Sequence, residues 1–180
     1  MNKSIKLKSS NIIEMRKKID ATKSSYWKII RAENVMSKKE IKAGMGSGKD
    51  LKALYNEIMQ MSEKLVYIKG MLFYLNMGIT SFDKEAFKKT NNYSIFMACE
   101  MKEAIAQLKM IPTLDAKLKA TKGLKAINKK EVFTSAKIAA LIKDLQLKAN
   151  KYDTNMENFN NNTSIDISNV SDMFEKMLAV

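Results

Sequence analysis

The chain of 180 residues has no histidine and only one cysteine, Cys99. The missing histidine removes the commonest neutral-pH base and the commonest metal ligand. It also rules out the Glu-x-x-His pairs on which helix-bundle metal sites depend. A lone cysteine forms no internal disulfide. Phe96, Met97, Ala98 and Met101 around it predict a small buried side chain rather than a reactive thiol. No nucleophile stands beside an obvious base. Glu100 and Glu103 share a helical face, as do Glu57 and Glu63 to a lesser degree, but lysines surround both pairs, which reads as ordinary surface charge. The expectation is a non-enzymatic protein with no catalytic residue, no cofactor and no metal.

Arginine is also scarce. Only Arg16 and Arg31 are arginines among 32 basic residues. Lysine is a mobile point charge without the bidentate fork that reads base edges. Any DNA or RNA contact should therefore be to the backbone and indifferent to sequence. No long apolar run is present. The most apolar short stretch, Gly70 to Ile79, contains Asn76 and is too short to span a bilayer. Met1 to Lys8 is basic, with no apolar segment of signal-peptide length behind it. These features predict no stable membrane insertion and a cytoplasmic location.

What the chain has is helical periodicity. Leu51, Leu54, Ile58, Met61, Leu65, Ile68, Leu72 and Leu75 recur at spacings of three and four, the signature of a long helix with a seam for a partner. Ile12, Met15, Ile19, Tyr26 and Ile30 mark an earlier helix from about residue 11 to 34, capped by Asn11 and Glu14 and extending toward Ile41. A short helix is expected at 83–90, and a third long one from Tyr93 to the only proline, Pro112. Thr113 to Asp115 should cap a short helix, Leu124 to Phe133 reads as a loop or turn, and Thr134 or Ser135 opens the last long helix, which the Asn-rich 158–162 ends. The fold class is all-α. Five to six helices form an antiparallel bundle or elongated helical hairpins, with a coiled-coil arm from the first two as a variant. Residues 1–162 make the bundle, and 163–180 hold a short amphipathic helix suited to docking.

Residues 43–49 imitate a phosphate-binding loop. However, Ala43 replaces its first glycine, Asp50 replaces the metal-binding hydroxyl, and no strand precedes it. A glycine-rich turn between helices is the better reading.

Two function classes remain. Fourteen methionines, several at seam positions, fill cores but also form adaptable docking faces. Met59, Met61, Met71, Met77, Met173, Phe174 and Met177 are the candidates for a protein partner or a homo-oligomer contact. This favours a structural, adaptor, inhibitor or assembly protein acting through protein–protein interaction. The alternative follows from charge: residues 1–49 carry 13 basic and 4 acidic groups, and residues 113–151 carry 10 and 3. Such segments suit anionic partners. Arg16, Lys23, Lys28, Arg31, Lys137, Lys143, Lys148 and Lys151 are the candidate nucleic-acid contacts.

Overall fold

Four long helices carry the architecture of the computed structural model, which describes residues 5–114 and 129–164. They are α1 (Ser9–Glu33), α3 (Leu51–Asn76), α5 (Asn91–Lys109) and α6 (Ser135–Asn162). Two five-residue helices, α2 (Lys38–Lys42) and α4 (Lys84–Lys88), lie between them. The all-α class holds: helix makes up three quarters of the structure, and the only sheet among the described residues pairs two three-residue strands. The C-terminal helix expected at Val170 to Ala179, with Met173, Phe174 and Met177, lies outside the described residues, as does the short helix expected after Asp115.

Contacts between helices fix their directions. Lys23 meets Glu100, Arg31 meets Gln107 and Asn34 meets Pro112, so α1 and α5 run parallel. Trp27 meets Tyr55 while Lys23 and Lys69 meet on Glu100, which sets α3 antiparallel to α1. Ser135 bonds Thr113 and Tyr152 meets Tyr93 edge to face, which sets α6 antiparallel to α5. The bundle is thus up-down-up-down. One end gathers the starts of α1 and α5, the ends of α3 and α6, and α4. The other, the loop end, gathers the remaining termini with the glycine turn.

The seam on α3 is buried as its spacing predicts: Leu51, Leu54, Ile58, Leu65 and Ile68 are all inside. Met61, Leu72 and Leu75 are half-buried. A second stripe, Ser62, Val66 and Gly70, is buried as well. Helix α3 is therefore covered by α1 and by α5, and is not one half of a free coiled-coil arm. Cys99 corrects a second expectation, because it is exposed. The buried positions of α5 are Ser94, Met97, Ala98, Glu100, Met101, Ala104, Ile105 and Leu108. A residue one step beyond Ala98 is rotated by about 100° and leaves that face.

Local chemistry explains most helix starts. Asp50 accepts from the Lys52 amide at 2.9 Å, Asp83 from Ala86 at 2.6 Å and Thr134 from Lys137 at 3.2 Å. The capping box at Asn11 does not form. Helix α1 starts at Ser9, and the Ile12 amide already bonds the Lys8 carbonyl, so Asn11 lies inside the first turn.

Nor does α1 reach Ile41. Its end is fixed by Asn34, whose buried side chain donates to the carbonyls of Pro112 (2.8 Å) and Phe133 (2.9 Å) and accepts from the Phe133 amide (2.7 Å). One amide thus ties the ends of α1 and α5 to the start of α6. The chain then forms β1 (Val35–Ser37), antiparallel to β2 (Lys129–Glu131), where a loop was expected. Three-residue strands carry no readable alternation, so tertiary pairing decides them.

Gly70 is required for close approach. A Cβ there would sit 2.6 Å from Cε1 and 2.8 Å from Cε2 of the fully buried Phe87 ring. That ring is surrounded by Tyr67, Tyr74, Phe82, Tyr93 and Phe96, which leaves it no room to retreat. Gly70→Ala gains about 1 kcal/mol of helix propensity but overpacks the site by about 1–3 kcal/mol. A net loss of stability is expected in chemical denaturation, partly recovered in Gly70→Ala/Phe87→Leu. A Gly70→Ala midpoint at or above wild type would contradict this packing.

Candidate functional site

The centre of the bundle holds charge. Glu100 on α5 is 1% exposed and its carboxylate accepts from Lys23 Nζ of α1 at 2.5 Å and from Lys69 Nζ of α3 at 2.7 Å. Lys23 is 3% exposed and also lies 3.5 Å from the half-exposed Glu103. Burial pushes the Glu100 carboxyl up, but the hydrogen bonds and charges of Lys23 and Lys69 outweigh it and hold the group below its ordinary value. Glu100 is an ionised clamp joining three helices, not the surface acid expected. Lys23, in turn, is not a surface cation available to nucleic acid: its ammonium is committed inside.

Beside this clamp, α1 and α5 flank a cleft of 260 Å³ whose lining includes Asp20, Trp27, Arg31, Glu103 and Gln107. Arg31 donates to Gln107 across it, which ties up part of a guanidinium expected to be free. Among the described residues no group of three metal-ligating side chains converges here or elsewhere.

The other candidate cations divide. Arg16 pairs with Asp20 at 3.7 Å and Lys148 with Asp144 at 2.7 Å, both exposed pairs worth little. Lys28, Lys143 and Lys151 are exposed and enter no ion pair among the described residues. Lys137 is half-buried, with Nζ 4.9 Å above the Phe133 ring. The predicted cations of α1 and of α6 belong to helices whose main packing partners differ, α3 for one and α5 for the other. Lys52, within electrostatic reach of Lys137, and Lys49, over the Tyr26 ring, carry no sequence signal of their own. Lys49 is hidden in the phosphate-loop resemblance, and Lys52 looks like a routine surface residue.

The methionine candidates divide too. Met59 and Met61 pack against the core, so they are not a free docking face. Met71 is half-buried and Met77 is exposed. The glycine turn behaves as a turn: Gly44 and Gly48 have φ of 68° and 71°, and Glu33 accepts from the Ser47 amide (2.8 Å) and hydroxyl (2.9 Å). Helix α2 leads into it in place of the strand a phosphate loop needs, and the Glu33 carboxylate takes up the Ser47 donors.

A line of phenols crosses three helices, with Tyr67, Tyr93 and Tyr152 at ring separations of 6.1 Å. Burial raises each, and neighbouring acids or phenols raise it further, so all three stay protonated at neutral pH and serve as hydrogen-bonding packing. No described helix is long and apolar enough to cross a membrane. Comparison with protein-family models, curated proteins and solved structures finds no match to this chain.

Proposed function

We propose that this protein is a non-enzymatic helical interaction module that binds a protein partner through the end of the bundle formed by the start of α1, the end of α3 and the end of α6. The observation that carries the reading is where the exposed apolar side chains gather. Of ten large hydrophobics exposed among the described residues, seven (Ile5, Leu7, Ile13, Met15, Met77, Ile79 and Phe159) belong to that end. Exposed apolar residues scattered singly need no explanation, whereas a group of them marks an interaction surface. Met77 is 59% exposed, and methionine adapts its shape to the partner it meets.

Helix α6 adds to the surface. Tyr152 reaches Tyr93 and Asp153 pairs with Lys102, both on α5. Phe159, about two turns further along α6, is 46% exposed. Replacing Met77, Ile79 and Phe159 together by Glu should leave the melting temperature within a few degrees of wild type. It should also abolish association with the partner, or with a second copy, in a nuclease-treated native extract. Undiminished association by the triple variant would remove this end as the interface.

A further inference from the structure

The opposite end of the bundle has a different chemistry. Lys42, Lys49, Lys52, Lys130 and Lys137 lie there, and none of them enters an ion pair among the described residues. The nearby acids each accept from an uncharged donor. Glu33 holds Ser47, Asp50 caps the Lys52 amide, Glu131 accepts from the Leu114 amide at 2.8 Å, and Glu40 accepts from the Ser37 amide at 2.6 Å. None of these bonds goes to a lysine ammonium, although the carboxylates keep their charge and Lys137 feels that of Asp50.

Three of them are arranged rather than scattered. Lys49 Nζ lies 5.2 Å from the Tyr26 ring centroid, and Lys137 Nζ lies 4.9 Å from that of Phe133. Lys52, in the first turn of α3, lies within electrostatic reach of Lys137. Burial lowers the Lys137 ammonium, the charge of Lys52 lowers it further, and Asp50 offsets only part. Lys137, held over its ring within reach of a second like charge on Lys52, belongs to a site that gains from an anion. The first turns of α3 and α6 add the positive ends of their dipoles to the same place.

We infer that Lys49, Lys52 and Lys137 form a strip on the loop end that binds the sugar–phosphate backbone of a nucleic acid. A row of ammonium groups matches a row of phosphates, and lysine alone gives no base readout. The rings beneath the strip do not serve as membrane anchors, because Phe133 is 1% exposed and Tyr26 half-buried. The strip acts independently of the apolar end.

The test is fluorescence anisotropy of the full chain with a labelled random-sequence DNA duplex over a salt range. Lys49→Gln/Lys52→Gln/Lys137→Gln is compared with Lys18→Gln/Lys64→Gln/Lys89→Gln, which removes the same charge from exposed lysines elsewhere. The strip variant should bind about tenfold more weakly or worse, with a logarithmic salt slope shallower by about 3, near one unit per lysine. The control should stay within about twofold of wild type, since it keeps every strip contact. Both triples should retain the wild-type circular dichroism spectrum. Equal losses in the two triples, no loss in the strip variant, or no duplex binding by wild type would each overturn the inference. So would wild-type binding to phosphatidylserine vesicles in preference to the duplex.

Discussion

Glu100→Ala should destabilise the fold by about 3–5 kcal/mol, enough to leave a marginal domain largely unfolded at moderate temperature. The loss comes less from the attraction removed than from what stays behind. Lys23 is 4% exposed at its side chain and Lys69 22%, so two ammonium groups would face each other with Glu103, 3.5 Å from Lys23, as the remaining acid. Glu100→Gln keeps the shape and loses the charge, and should cost nearly as much. Glu103→Ala removes a half-exposed partner and should cost under about 1 kcal/mol. Lys23→Met/Glu100→Leu removes the buried pair and lets Lys69 turn to water; most of the stability should return. Chemical denaturation of the four variants measures this, and equal midpoints for Glu100→Ala and Glu103→Ala would contradict the clamp.

The same group sets an acid limit. Its folded-state pKa lies below its ordinary value of 4.5, so folding favours the ionised form. Its contribution is fully present above that ordinary value and is lost as pH falls through the lower folded value. Acid unfolding of wild type should therefore have a component that Glu100→Gln lacks.

Leu65→Asp should be at least as damaging, at about 4 kcal/mol or more. Leu65 is 1% exposed in the middle of α3, so the substitution removes a buried side chain and puts an unpaired carboxylate in its place. Leu54→Asp belongs with it, at 4% exposure. Leu72→Asp should cost distinctly less, because Leu72 is half-buried near the end of the helix and the carboxylate can reach water. A change at the exposed Lys52 should shift the midpoint by under about 0.5 kcal/mol. A Leu65→Asp midpoint equal to that of wild type would place this face in solvent and dismantle the bundle.

The periodic part of this architecture could be read from residues 51–75, since period-3.6 burial is a local property of the chain. The caps at Asp50, Asp83 and Thr134 were legible for the same reason: a cap bonds within its own turn. What could not be read depends on partners far along the chain. Asn34 resembles any helix-ending asparagine until Pro112 and Phe133, 78 and 99 residues away, supply its bonds. Lys23 interrupts the apolar pattern of α1, and only Glu100, 77 residues on, turns that interruption into a core position. A glycine inside a helix, such as Gly70, leaves room for a close neighbour, but the Phe87 ring that fills that room lies on another helix. Methionine at helical spacing marks a docking candidate without saying which face is covered. The structure packs the half-buried Met59 and Met61 against the core and leaves Met77 exposed.

The proposed function places a protein partner at the apolar end of the bundle. Site-specific photo-crosslinking in the native cell tests that assignment most directly. A benzophenone side chain is placed in turn at Met77 and Phe159 on the apolar end, and at Met110 on the loop end, all three solvent-exposed. Irradiation should give a discrete protein adduct, with the partner or with a second copy of the chain, from Met77 and Phe159 and none from Met110. Adducts from Met110 alone, or from none of the three positions, would contradict the account.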